Sequence, residues 1–217
     1  MSLSFVLGGV RSGKSRYAEA LLGYRYDVTY LAAGARPADP VADPEWAARV
    51  AFHQASRQKT WRTVETTDLV GQLSAPGGPL LIDCLGTWLT ALVDQAGAWD
   101  NPRAATVLLH REGTALLAAL GETSRRVVIV SNEVGLSLVP LTPSGRVFQD
   151  ELGRLNARVA DAADSVFLVV AGRVIDLTGA PRVDLQQGPE WGIQDSPAPT
   201  EPPQDTRVAA STPQDAP

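Results

Sequence analysis

Eight residues near the start of the chain limit its fold more than any others: Gly8-Gly9-Val10-Arg11-Ser12-Gly13-Lys14-Ser15. They fit the spacing Gly, four residues, then Gly-Lys-Ser. An apolar run over residues 3–7 comes just before and reads as a buried strand, and a helical pattern over residues 16–22 follows and stops near Gly23. Strand, glycine loop and helix in that order is the setting in which this motif cradles phosphates. The glycines let the backbone turn its N–H groups onto an anion, and the next helix aims its N-terminus at the same place. Lys14 is then expected to reach the outer phosphates and the Ser15 hydroxyl to hold Mg²⁺. The plain alternative, a strand–helix turn carrying an exposed lysine, fits the flanking pattern poorly.

The rest of the chain alternates between short apolar runs and helical patterns. Residues 28–33, 80–84, 126–131 and 166–171 read as further strands, and 173–177 as a last one that can pair with 166–171 as an edge hairpin around Gly172. Residues 61–65 form a short extended piece. Helices are expected over 45–58, 88–92, 103–120 and 145–163, with one or two helical turns over 68–73. Val147, Leu152, Leu155 and Val159 mark the apolar side of the 145–163 helix. The proline-rich stretch 35–44 must be a loop. Strands that are continuously apolar rather than alternating are buried on both faces, as in a parallel sheet covered by helices. The fold class expected is therefore α/β, a P-loop NTPase-like, mostly parallel sheet flanked by helices, with a short antiparallel edge hairpin. One domain over residues 1–184 is followed by a tail, 185–217, rich in Pro, Gln, Asp, Ser and Thr, which has little to bury and is expected to be disordered.

Composition narrows the functional classes. No apolar run approaches the roughly 20 residues of a membrane span, no secretory leader is expected ahead of a motif that starts at Gly8, and the single Cys84 excludes an intramolecular disulfide. A cytoplasmic location is the default. A net charge of −5 argues against a nucleic-acid partner.

Ligands of open parallel sheets sit beyond the carboxyl ends of the strands. Asp83 ends the run Leu80-Leu81-Ile82 and has the position of a carboxylate that holds Mg²⁺, directly or through water. The plainer alternative is a cap for the following helix, and the two roles can coexist. Asn132-Glu133 follows the 126–131 strand in the same way, so Glu133 either orients an attacking hydroxyl or metal-bound water or stands as a solvated loop residue. On the 45–58 helix, Arg49, His53 and Arg57 recur every four residues and form one stripe. Flanking positive charge disfavours imidazolium, a neutral imidazole is a nucleophile, and the two arginines can bind the phosphates of the group it attacks. By spacing alone, a helical histidine is more often structural or merely exposed. His110 has no such setting and reads as a helix-surface residue.

Taken together, these segments resemble the bifunctional cobinamide kinase / cobinamide-phosphate guanylyltransferase family of cobalamin biosynthesis. The resemblance rests on Gly8 to Arg16 followed by Ala18-Glu19, on Ala47-Ala48-Arg49-Val50 leading to His53, and on Trp61-Arg62-Thr63 with Glu65. It continues with Asn132-Glu133-Val134-Gly135 before Val139-Pro140, then Phe148-Gln149-Asp150 running into Gly153 and Asn156. It implies two reactions. A triphosphate, ATP or GTP, phosphorylates the hydroxyl of adenosylcobinamide. GTP then gives GMP to His53, which passes it to adenosylcobinamide phosphate to form adenosylcobinamide-GDP. It also implies that the loop Gly8 to Ser15, the segment Ala32, Ala33 and Gly34, the residues Gln54, Ala55, Ser56 and Arg57, and Glu65 and Asp83 line the guanine nucleotide site. A homotrimer is implied as well. Phe52 stands where members often carry a second histidine, Ala33 and Gly34 where small hydroxyl residues are common, and Asp83 where some have Glu. Two other readings remain open: a small-molecule kinase whose His53 is structural, and a nucleotide-dependent switch that transfers nothing.

Overall fold

A computed structural model describes residues 2–34, 47–48 and 58–183. Its elements are β1 (Ser2–Gly8), α1 (Lys14–Leu22), β2 (Thr29–Ala32), β3 (Arg62–Glu65), α2 (Leu69–Ser74), β4 (Leu80–Asp83), α3 (Leu85–Ala96), α4 (Pro102–Glu122), β5 (Arg126–Asn132), α5 (Pro143–Ala162), β6 (Ser165–Val170) and β7 (Arg173–Asp176). The strands make one sheet in the order β3-β2-β4-β5-β1-β6-β7. All neighbours run parallel except β6 and β7, which form the expected edge hairpin.

Alternation along each strand divides the core into two layers. Leu3, Phe5 and Leu7 of β1 join Leu80 and Ile82 of β4 and Val127 and Ile129 of β5 in a cluster that includes Leu85, Trp88, Leu116, Leu152 and Val159 from the helices. Val6, Leu81, Val128 and Val130 face the other way, with Ala18 and Leu22 of α1 and with Tyr30 and Trp61. Each such side chain removed from water contributes about 1.5–3 kcal/mol. Covering both faces is why the strands read as unbroken apolar runs.

Several helix boundaries and one pairing differ from the sequence reading. The extended piece 61–65 is a true edge strand, β3, in parallel register with β2. Helix α3 begins at Leu85 rather than near residue 88 and runs on to Ala96. The cause is a capping box, in which the Thr87 hydroxyl accepts from the Cys84 N–H at 3.3 Å and approaches the Cys84 sulfur. Helices α4 and α5 start one or more residues early, each at a proline in its first turn, behind the side-chain caps Asn101 and Thr142. The 68–73 turns form α2, capped by Asp68, whose Oδ1 accepts from the Gly71 N–H at 2.8 Å.

The chain divides into Met1–Ala180 and Pro181–Pro217. The expected domain end at Asp184, the tail beyond it, the loop over 35–44 and most of the expected 45–58 helix lie outside the described residues. Among the described residues, no helix is long and apolar enough to cross a membrane.

Candidate active site

The parallel sheet brings Gly8, Ala32, Glu65, Asp83 and Asn132 to one carboxyl edge, since Gly8 pairs with Asn132, Ala32 with Glu65 and Ala32 with Asp83. Strand β5 lies between β1 and β4, so the segment carrying Glu133 stands next to the glycine loop. The Glu133 N–H donates to the Gly8 carbonyl at 3.2 Å.

The loop itself has the shape its residues suggest. Gly13 takes φ of 100°, and Arg11 takes φ of 58°, which side chains rarely adopt. Successive N–H groups in such alternating conformations converge to form an anion-binding hollow. Gly8 cannot carry a side chain, because a Cβ there would lie 2.6 Å from the Val169 carbonyl oxygen. The loop is braced from the hairpin side, where the Gly172 N–H donates to the Ser12 carbonyl at 3.0 Å. The Ser12 hydroxyl, in a residue 8% exposed, has no hydrogen-bond partner among the described residues. The hydroxyl packs against Gly8, 2.5 Å from where a Cβ on that residue would lie. Val10 is 68% exposed, and Arg11 is exposed beside it.

Lys14 and Ser15 open α1, and both are half-buried. The Lys14 ammonium donates to the Gly9 carbonyl at 3.2 Å. Asp83 is half-buried at the end of β4, and its Oδ2 accepts from the Tyr30 hydroxyl at 2.6 Å. Capping of α3 falls to Cys84, so the helix-cap reading of Asp83 is corrected. The buried Cys84 thiol lies within electrostatic reach of both groups. Burial raises its pKa most, the Asp83 carboxylate raises it further, and the Thr87 hydrogen bonds and the Lys14 ammonium lower it. The loop lysine and the β4 carboxylate therefore act on one buried thiol with opposite sign.

The β5 end is organised by α5. Asn156, 5% exposed, accepts from the Ser131 hydroxyl at 2.6 Å and donates to the Asn132 carbonyl at 2.9 Å. Gln149 Nε2 donates to the Val134 carbonyl at 2.8 Å. Arg146 Nη1 donates to the carbonyls of Pro140 and Leu141, both at 3.0 Å. The Glu133 carboxylate turns back on its own loop, with Oε1 accepting from the Gly135 N–H at 2.6 Å. Two close approaches join the strand ends. A Cβ at Gly86 would lie 3.1 Å from the Asn132 amide, and one at Gly34 2.8 Å from Thr87 Cβ.

Ala33 is buried, while Ala32 and Gly34 are half-buried and Glu65 is exposed at the end of β3. His53, Arg49, Gln54, Ala55, Ser56 and Arg57 lie outside the described residues. His110 is exposed on α4, as the sequence reading has it. The described residues contain no group of three or more His, Cys, Asp or Glu that could hold a metal ion. The oxygens of Ser15 and Asp83 are nevertheless the hard donors Mg²⁺ takes, and Mg²⁺ usually completes its shell with water and substrate phosphates rather than with a protein cage. The residues that sequence reasoning missed are Tyr30, which touches Asp83, and Asn156 and Gln149 as holders of the Glu133 backbone. The last two sit in a recognisable motif, but no short pattern reveals what they bond.

A family model described as cobinamide kinase / cobinamide phosphate guanyltransferase matches residues 4–177. The bifunctional adenosylcobalamin biosynthesis protein CobU of Salmonella typhimurium is 39% identical over 176 residues, spanning 77% of this chain and 94% of that protein. The protein of the same name from Escherichia coli is 38% identical over the same shares of the two chains. The bifunctional adenosylcobalamin biosynthesis protein CobP of Pseudomonas aeruginosa is 39% identical over 182 residues, 81% of this chain and 97% of that one. Among solved structures, the P4 protein from bacteriophage phi13 aligns with 80% of this chain and 53% of its own at 14% identity and a TM-score of 0.37. That likeness is too slight to carry any part of the argument.

Proposed function

The chain belongs to the cobinamide kinase / cobinamide phosphate guanyltransferase family, and from that premise we propose that it performs two successive transfers at the carboxyl edge of its sheet. In the first, the γ-phosphoryl group of ATP or GTP passes to the hydroxyl of adenosylcobinamide. In the second, an imidazole nitrogen of His53 attacks the α-phosphorus of GTP. A nitrogen–phosphorus bond forms, the bond from that phosphorus to the bridging oxygen breaks, and pyrophosphate leaves. A phosphate oxygen of adenosylcobinamide phosphate then attacks the same phosphorus. The imidazole departs unchanged, and adenosylcobinamide-GDP is the product.

The observation that carries this reading is the convergence of the loop with two carboxylate-bearing strand ends, seen in the Glu133 N–H to Gly8 carbonyl bond and in the parallel register that sets Asp83 beside Val130 and Gly8 beside Asn132. Loop amides from Gly8 to Ser15 and the Lys14 ammonium hold the phosphates. Ser15 and Asp83 hold Mg²⁺, which when bound offsets negative charge on the phosphates. Glu133 leaves Gly135 to orient the acceptor hydroxyl and take its proton. Arg49 and Arg57 bind the phosphate that His53 attacks. Ala32, Ala33, Gly34, Gln54, Ala55, Ser56 and Glu65 line the rest of the nucleotide. The unit in solution is a homotrimer, working in the cytoplasm, where both triphosphates are available.

Supplying the two acceptors separately tests this reading. With adenosylcobinamide, consumption of triphosphate and appearance of the phosphate ester are expected. With the phosphate ester and GTP, release of pyrophosphate and formation of the GDP ester are expected. A chain that phosphorylates the first acceptor and ignores the second is a kinase only. Slow hydrolysis with neither acceptor consumed makes it a switch.

A further inference from the structure

Tyr30 occupies an unusual place for a polar residue. It sits inside β2, 2% exposed, in the layer formed by Val6, Ala18, Leu22, Trp61, Leu81 and Val130. A tyrosine in such surroundings must find a partner for its hydroxyl. One partner it finds is the carboxylate of Asp83, at 2.6 Å.

The register explains the contact. Ala32 of β2 faces Asp83 of β4, and Tyr30 faces Leu81. Residues two apart on a strand share a face, so Tyr30, Ala32, Leu81 and Asp83 lie on the same side of the sheet. Tyr30 therefore approaches Asp83 on the diagonal, a separation that a long aromatic side chain spans. Ala32, directly opposite Asp83 on that face, carries only a methyl. The ring is held in place by its neighbours. Trp61 is buried in the same layer, and its indole N–H is fixed on the Arg25 carbonyl at 2.7 Å.

We propose that Tyr30 is a positioning residue for Asp83. A hydrogen bond from a neutral hydroxyl to an ionised carboxylate is roughly twice as strong as one between neutral groups. This one occupies Oδ2, fixes the carboxylate plane, and leaves Oδ1 as the oxygen open to whatever the glycine loop holds. Partners that orient a ligating carboxylate typically change metal affinity or activity about 10–100-fold when removed. The proposal deepens the assignment of Asp83 to Mg²⁺ and rests on it.

A double-mutant cycle separates the two ideas. Mn²⁺, used as a paramagnetic substitute for Mg²⁺, is titrated by electron paramagnetic resonance against the full chain with saturating GTP. The proteins are wild type, Tyr30→Phe, Asp83→Asn and the double variant. GTP binding without metal and the melting temperature are recorded alongside. Tyr30→Phe is expected to weaken Mn²⁺ binding about 10-fold and to leave metal-free GTP affinity within about 2-fold. Added to Asp83→Asn it is expected to do nothing more, because the pair acts as a unit. Should Tyr30→Phe not fold, Tyr30→Trp, which keeps a large buried ring but moves its polar group away from Asp83, is expected to give the same loss of Mn²⁺ binding, and wild-type Mn²⁺ binding in it overturns the proposal equally. Wild-type Mn²⁺ binding in Tyr30→Phe overturns the proposal, as does an equal loss in both backgrounds. Wild-type Mn²⁺ binding in Asp83→Asn removes the magnesium assignment itself, and this proposal with it.

Discussion

Strands β4 and β5 each deliver one carboxylate to the same edge, and the protein holds the two in opposite ways. The Asp83 carboxylate is gripped by a side chain from another strand, the hydroxyl of Tyr30, which lies 53 positions earlier. The Glu133 carboxylate accepts only from its own loop among the hydrogen bonds described, the Gly135 N–H two positions later. At β5 it is the backbone that is gripped, with α5 bonding the carbonyls on either side through Asn156 and Gln149. One carboxylate is thus fixed, while the other hangs from a fixed backbone and can turn. Releasing a single local hydrogen bond costs about 1 kcal/mol, little enough for an incoming hydroxyl to replace it. The contrast matches a group that stays with the nucleotide and a group that answers to the acceptor.

The largest effect expected is from Asp83→Asn. On the proposal that Asp83 holds Mg²⁺ on the triphosphate, it should slow both phosphoryl transfer and labelling of the protein by GMP by about 100-fold or more. Glu133→Gln should lower kinase turnover by about 100-fold while GMP labelling stays within a few-fold of wild type. Equal losses in both half-reactions would erase the distinction between the carboxylates. Asn156→Ala acts on the backbone anchor. It strips the Asn132 carbonyl and the Ser131 hydroxyl of their partner, and should destabilise the fold by about 1–3 kcal/mol in chemical denaturation, with Mn²⁺ affinity unchanged.

The smallest effect concerns Cys84, whose thiol is held neutral chiefly by burial and next by Asp83. Iodoacetamide at pH 8 should label native protein far more slowly than unfolded protein. Because the native pKa is raised, the unfolded thiol ionises first. The stability this group contributes is whole below the ordinary thiol pKa and declines as pH climbs past it. Rapid labelling of native protein at pH 8 would contradict a Cys84 thiol kept neutral by burial.

The sequence made the glycine loop legible because its chemistry is local. Spacing and flanks dictate the backbone, and Arg11 and Gly13 supply the conformations. The carboxyl-edge carboxylates were legible for a similar reason, since each ends an apolar run. Tyr30 was not legible. Within residues 28–33 it reads as one more strand former, and its bond to Asp83 depends on which strand lies beside β2. The same blindness hid β3, whose pairing with β2 is a tertiary choice. The start of α3 was missed because a cysteine and a threonine supply the capping box and a buried Gly86 follows. Asn156 and Gln149 were visible as part of a motif and silent as to role, because what they bond is backbone carbonyl, which carries no residue identity.

The claim at the centre of this account is that one edge of the sheet serves two transfers, with His53 as the carrier of the second. GTP labelled at the α-phosphorus tests it directly. Wild-type protein should retain an acid-labile label that adenosylcobinamide phosphate removes. His53→Ala should retain none while still phosphorylating adenosylcobinamide. A wild-type protein that takes up no label, or a His53→Ala protein that labels as well as wild type, would contradict it.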